Sequence, residues 1–492
     1  MEQQVADLTH QLDWFKQQLF GRKSEKRRIE DNPHQPLLKG FEKDTQPSKA
    51  EPTKETITYT RRKGRGERCV NDTGLRFDDS VPVQTIELPA PELSGDNAHE
   101  YEVVSHKVTH RLAQRISSYV VLKYVRPVLK HTPSQKITAA PAPSGLWGSS
   151  IADVSLVVGL LVEKLVYHQP WYRQHQRMTR DGIKLSRESL THWSHKAIGL
   201  LKPIYEAQLR HILQSRTLCI DETPIKAGNS KTKGKMALCW YWPVYGEDDE
   251  VAFTFSTTRG QSHLQQLLPN FKGTLLTAGH SAYSSYVKRC DDIEHAQCWT
   301  PARREFVKAE KAEPEDVATA YELIGARYAV ETHIREQGLS GQAKRDYRQA
   351  HAAPRVDAFY QWCNTQCERM DLTPSNRLSK AIAYAQKRET SLRVYLDKPD
   401  VAIDTNHLER TLRVIPMGQK NWMFCWTEAG AHLVGIAQSL LTTCRLHGIN
   451  PSAYLTDVLL RVGNHPVDRI DELTPRNWKQ LFADNPMTSD LI

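Results

Sequence analysis

At 492 residues the chain exceeds what one compact core usually holds, so two to four domains are expected. Hydrophobic residues make up 39% and charged residues 25%, an ordinary globular mix, and no apolar run of about 18 residues offers a membrane span. The net charge of +9 permits a polyanionic partner without requiring one. Nine scattered cysteines, an odd number, argue against a secreted disulfide framework. The polar opening Met1-Glu2-Gln3-Gln4 lacks the apolar core of a signal peptide, so a cytoplasmic location is expected.

Val5, Leu8, Leu12, Phe15 and Leu19 repeat in steps of 3, 4, 3 and 4, the seam of a short coiled coil or the face of a docked amphipathic helix. Arg22, Lys23, Lys26, Arg27 and Arg28 follow, giving a coiled-coil and basic-helix segment over 1–30. Residues 31–55 are rich in Pro, Lys, Glu and Asp and are predicted to be a disordered linker. Over 56–132 the pattern turns to β: a strand candidate at Val81–Leu88, then a hairpin of Tyr101–Leu112 with Ile116–Leu129. A Pro-rich linker is expected at 133–148.

Residues 149–214 are predicted to be helical, a DNA-binding or linker domain. Ile151–Tyr167 is a strongly apolar helix closed by Pro170, and Ser186 caps a later one. That pair is either a helix-turn-helix or a plain helical pair. From 215 to 300 five strands are expected: Leu218–Asp221, Met236–Tyr245, Val251–Thr258, Gly273–Thr277 and His295–Trp299, with a short helix at Ser262–Leu268. Helices are expected over 301–400, a last core segment over 401–465 and a tail over 466–492. The fold class is therefore multidomain α+β. Its core has the order β-β-β-α-β-α-β-α, which is ribonuclease H-like, with a helical insertion.

An acid at the end of a buried strand suits a hard cation such as Mg²⁺, which prefers oxygen ligands. Asp221 is such an acid, followed at once by Glu222-Thr223-Pro224 where the chain leaves the sheet. Two-metal phosphoryl transfer uses about three carboxylates around cations roughly 4 Å apart. On this sheet order they come from the first strand, the end of the fourth strand and a late helix. The fourth strand ends in Ala278-Gly279-His280, and the late helix offers Glu409 within Asp404-Thr405-Asn406-His407-Leu408-Glu409-Arg410. Asp404 is a candidate cap for that helix.

The order of several motifs resembles the transposases of the insertion-sequence 66 family. They are Leu19-Phe20-Gly21-Arg22-Lys23-Ser24-Glu25, Gln169-Pro170-Trp171-Tyr172-Arg173-Gln174 and Asp221-Glu222-Thr223-Pro224. They continue with Cys298-Trp299, Ala302-Arg303-Arg304, Asn406 to Arg410 and Gly418-Gln419-Lys420-Asn421-Trp422. The resemblance runs from about residue 5 to about residue 460.

It implies an Asp-Asp-Glu site holding two Mg²⁺ or Mn²⁺ ions, with Asp221 first and Glu409 third. The spacings are 278 − 221 = 57 and 409 − 278 = 131, the second containing the helical insertion. Ala278 stands where the family carries its second Asp, in Asp-Gly-Tyr. Pro301 and Gln419 stand where it usually has His and Arg. The resemblance therefore implies a DNA transposase whose own activity is impaired, whether by engineering or by decay of a transposon copy. A DNA-binding repressor of its element or a nuclease on the same fold are the alternatives.

The basic cluster with Arg22 and Lys23 reads either as a grip on DNA phosphates or as a solvated helix end, and the resemblance implies DNA contacts from Arg303, Arg304, Lys420, Asn421 and Trp422, although Trp422 and Phe424 read equally as core residues. The resemblance further implies a homodimer or higher oligomer, accessory proteins of the element and association with the bacterial nucleoid. The Cys-rich zinc module that the family tends to carry is reduced here to Cys69, so four-ligand zinc binding is not expected there.

Overall fold

The structure is a computed structural model that describes residues 75–491, apart from 116–117, 141–142, 144, 148–149 and 231–233. The chain divides into two compact units, Met1–Gly64 and Arg65–Ile492, and the described residues all belong to the second. The expected zipper, the basic cluster with Arg22 and Lys23, the 31–55 linker and Cys69 lie outside the described residues.

After β1 (Arg76–Phe77), the first sheet is formed by β2 (Val83–Glu87), β3 (Tyr101–Arg115), β4 (Ser118–His131) and β5 (Lys136–Ala139). The β3–β4 hairpin runs in register from Tyr101↔His131 to Arg115↔Ser118, with one irregularity at Val103/Ser105. Its β-branched and aromatic residues suit a pleated surface. β2 joins β4 in parallel, a pairing that the sequence did not announce.

One face of this hairpin packs Leu112, Tyr119 and Val121 against α1 (Val154–Leu165), which Asp153 caps by accepting from the Ser155 N–H at 2.9 Å. α1 ends at Leu165, before the expected stop, and Pro170 instead opens α2 (Trp171–Arg180). β6 (Ile183–Lys184) pairs with β1. Ser186 caps α3 (Arg187–Ile212) through the Ser189 N–H, as its position suggested.

The central sheet contains β7 (Thr217–Ile220), β8 (Thr223–Asn229), β9 (Met236–Tyr245), β10 (Val251–Ser256), β11 (Gly273–Thr277) and β12 (Ile293–Gln297). The strand order is β10-β9-β7-β11-β12, with β8 also on β9. β7, β11 and β12 are parallel, and β9 runs antiparallel to both its neighbours, β7 and β10. α4 (Gln261–Leu267) precedes β11, and α5 (Ser281–Val287) precedes β12. β8 was not foreseen, because Pro224 within it reads as a strand breaker. A proline is tolerated where a strand's donors are not all paired.

The helical insertion comprises α6 (Trp299–Val307), α7 (Pro314–Glu336), α8 (Gly341–His351), α9 (Ala353–Cys367), α10 (Arg377–Gln386) and α11 (Glu389–Asp397). The chain then returns through α12 (Asn406–Leu412) and α13 (Val414–Trp422) to α14 (Glu428–Leu446) and α15 (Pro451–Arg461). α14 covers the outer edge of β10. Ser439 and Thr443 accept from the Phe253 and Val251 N–H groups at 2.8 and 3.2 Å, so the edge is satisfied by side chains rather than left open. Gly435 allows the approach, since a Cβ there would meet the Phe253 carbonyl oxygen at 2.7 Å.

The tail expected at 466–492 is instead folded. A 3₁₀ helix (Val467–Leu473) leads into α16 (Pro475–Leu481). The buried Trp478 donates to Asp457 at 2.7 Å, Ser489 to Asp153 at 2.6 Å, and Tyr124 to Asp490 at 2.8 Å. Its anchors are isolated large residues without periodicity, which sequence patterning does not register. No helix among the described residues is long and apolar enough to cross a membrane.

Candidate active site

Parallel pairing of β7 with β11 ends at Ile220↔Thr277, and that of β11 with β12 at Thr277↔Gln297. The next residue on each strand is Asp221, Ala278 and Cys298. These three therefore stand level at the carboxyl ends of adjacent strands, with Ala278 in the middle. The sequence-predicted first and second positions are thus neighbours.

Glu409 reaches the same end from α12. The segment before that helix is bound to the end of β12: the Trp299 N–H donates to the Ile403 carbonyl at 3.2 Å, and the Thr405 N–H and hydroxyl both donate to Cys298 Sγ. Thr405 is the cap residue by its backbone. Asp404, the expected cap, accepts from the Asn406 N–H at 3.0 Å and side chain at 2.6 Å.

Electrostatics tie these acids together. The Asp221 carboxyl is pushed up to about 7 by burial first, then by the negative charges of Glu222 and Glu409, against the pull of the Glu222 N–H and Arg304. Arg304 donates to both Glu409 oxygens, at 2.9 and 3.2 Å. Glu222 faces a separate set: Arg259 at 2.9 Å and the Tyr283 hydroxyl at 2.5 Å. Arg259 and Tyr283 carried no signal in the sequence, because each is paired with Glu222 only through the fold.

His280 caps α5, accepting from the Ala282 N–H. Pro301 falls in the first turn of α6, where a missing N–H costs no helical bond, so the helix is intact. Gln419 donates to the Pro224 carbonyl at 2.6 Å, joining α13 to the segment just past Asp221.

Arg303 is exposed and lies 4.9 Å over the Tyr321 ring. Lys420 and Asn421 are exposed at the end of α13. Trp422 is half-buried against the core, so its core reading holds better than that of a free stacking platform. Trp426, four residues on, is 78% exposed.

Among the described residues one group, His211, Asp248 and Glu250, brings three possible ligand atoms within 4.8 Å of one another. It lies at the opposite end of the sheet, around the β9–β10 turn. Arg476 already inserts its guanidinium there, 3.0 Å from His211 Nε2 and 3.5 Å from Glu250.

By class this chain is a transposase: residues 149–433 match the transposase IS66 family and 439–476 the IS66 C-terminal element, while 7–107 match the transposase C of IS166 homeodomain. The first match covers more than half of the chain, which belongs to the IS66 family of transposases. Similar curated proteins are uncharacterized proteins of Sinorhizobium fredii. One, y4jD, is 28% identical over 70% of this chain and 69% of its own length. Another, y4qI, is 25% identical over 97% of this chain and 90% of its own. Among solved structures, the Drosophila P element transposase strand transfer complex is similar at a TM-score of 0.32 and 10% identity, over 62% of this chain and 94% of that one.

Proposed function

We propose that this chain is the DNA transposase of a bacterial insertion sequence, built on a ribonuclease H-like core and impaired in catalysis by Ala278. The family match supports the transposase reading, and the strand order β10-β9-β7-β11-β12 with β9 alone reversed along it supports the core. The observation that carries the site is the convergence of Asp221 and Glu409 beside Ala278, with the Asp221 carboxyl raised to about 7 by burial and neighbouring acids.

Asp221 and Glu409 would hold a divalent cation, Mg²⁺ or Mn²⁺, through oxygen ligands. When bound, such cations activate an attacking water or 3′-hydroxyl and stabilise the leaving oxygen. Asp221 and Glu409 are both carboxylates, the donor chemistry such an ion prefers, and in this structure Arg304 holds Glu409. The methyl group of Ala278 offers nothing to the second ion that an intact three-carboxylate site would take.

The protein's own share is binding and alignment. Arg303, Arg304, Lys420 and Asn421 would contact DNA phosphates around the strand ends, so that water attack frees 3′ ends and those ends attack target DNA. Bringing two transposon ends together calls for at least a dimer, with residues 5–19 as one interface, and accessory proteins of the element would complete the assembly. A second reading, a catalytically inert DNA-binding repressor, is favoured by Ala278 alone.

Cleavage and strand transfer on a labelled transposon-end duplex, with Mg²⁺ or Mn²⁺, test the proposal for the chain beside its Ala278→Asp variant. Activity confined to the variant is expected. Equal activity of both would remove Ala278 from the second ligand position. Binding without activity in either would favour the repressor.

A further inference from the structure

A groove of about 590 Å³ runs between the helical insertion and the return segment, lined from α7, α8 and α12. It opens beside the helix that carries Glu409: Glu409 is turned to Arg304, while the adjacent Arg410 lines the groove.

Its charges are unbalanced. Arg348 is spent in the fold, with two bonds to Glu331 and three to the Tyr395, Lys398 and Val401 carbonyls. Asp404, the other acid on the wall, accepts from the neutral Asn406 and keeps its charge. Against it stand Arg335, Lys344 and Arg410. Among the described residues no carboxylate forms an ion pair with any of the three; Arg335 donates only to the Thr332 hydroxyl, at 3.4 Å. Lys344 is half-buried, and its ammonium is held below the usual lysine range by burial first and then by Arg348, against the pull of Glu331 and Asp400.

With Glu331 matched by Arg348, three cations against the one acid Asp404 leave the groove wall net positive, the charge of an anion site. A spacing set by three separate helices suits a chain of anions better than a single one. We propose that this groove binds the phosphodiester backbone of a DNA strand passing the catalytic helix, through Arg335, Lys344 and Arg410. The proposal rests on the transposase reading and adds a DNA path through the insertion.

Each phosphate contact neutralised by a protein cation contributes about 0.9 to the slope of log affinity against log salt. DNA binding is measured over a salt series with two duplexes of unrelated sequence. The proteins are the full chain, Arg335→Gln, Lys344→Gln, Arg410→Gln, their triple combination, and a control triple of Lys202→Gln, Lys272→Gln and Lys308→Gln. The control lysines already pair with Glu206, Asp292 and Glu305, and their loss removes the same net charge.

The groove triple is expected to flatten the slope by about 3 and to weaken binding by roughly 10- to 100-fold at ~0.1 M salt, equally on both duplexes. Each single variant takes about a third of the slope change, and the control takes little. The singles alter exposed or half-buried side chains, so they read the groove even if the triple folds poorly. An unchanged slope in the groove variants, a control loss as large, or a loss confined to one duplex would overturn the groove. Failure of the parent chain to bind any DNA would overturn the transposase reading and this one with it.

Discussion

Asp221 and Ala278 stand side by side, each one residue beyond the last paired residues of β7 and β11, Ile220 and Thr277. Restoring a carboxylate there by Ala278→Asp would put a third acid next to one already raised to about 7. Like charges disfavour each other's ionised form. The variant is therefore expected to be less thermally stable than the parent above pH 7 without divalent cations, and to regain that loss on addition of Mg²⁺ or Mn²⁺. Its cleavage rate should rise by about 10³-fold or more. Thermal melts with and without metal check the first part. A variant whose melting point ignores metal would contradict it.

Asp221 alone makes a pH prediction. Its folded value of about 7 lies above the ordinary 3.8, so the folded state keeps a proton that the unfolded chain gives up. Stability is complete below about pH 4, declines as pH rises, and levels off above about pH 7. Asp221→Asn keeps the neutral form at every pH. Its melting-point advantage over the parent should open between pH 4 and 7 and stay open at pH 8, with an upper limit of roughly 4 kcal/mol for a shift of about three units. An advantage that shrinks with rising pH would mean that the fold favours the ionised carboxylate instead.

Arg304 occupies Glu409 through both carboxylate oxygens. A guanidinium on a ligand competes with a cation for it. Both side chains are partly exposed, so the pair is worth little on its own. Arg304→Gln is expected to tighten Mn²⁺ binding by a few-fold, within about tenfold, while weakening DNA binding. Calorimetric titration of Mn²⁺ checks the first half; weaker Mn²⁺ binding would make Arg304 a support for the site rather than a competitor.

Much of this arrangement was legible beforehand, and the reasons are local. The runs that became β7, β9, β10 and β11 are apolar or alternating, which marks strands directly. Asp221 drew notice because it directly follows the buried strand Leu218-Cys219-Ile220. What escaped notice depends on contacts distant along the chain. Arg259 reaches Glu222 only because β10 and β7 lie in one sheet, and Arg304 reaches Glu409 across 105 residues. β8 hid behind Pro224, and the C-terminal segment hid because Leu473 and Trp478 have no periodic partners. Trp422 carried the motif, yet the fold turns it to the core and leaves Trp426 exposed.

Gly279 and Tyr384 give the last prediction. A Cβ on Gly279 would lie 2.0 Å from the Tyr384 hydroxyl oxygen, closer than any real contact, and Tyr384 is held in turn under the Arg388 guanidinium at 3.7 Å. Gly279→Ala must therefore displace the half-buried Tyr384 ring, or α10 with it, from the strand end that carries Ala278. Overpacking of this kind typically costs about 1–3 kcal/mol. Removing the obstacle should relieve it. Tyr384→Leu alone loses packing, yet in the Gly279→Ala background it should cost less or stabilise, so the two substitutions are expected to couple by about 1 kcal/mol or more. Denaturant melts of the four proteins measure that coupling directly. Additive effects would mean that the insertion gives way without strain, and that its hold on the strand end is weaker than the contact implies.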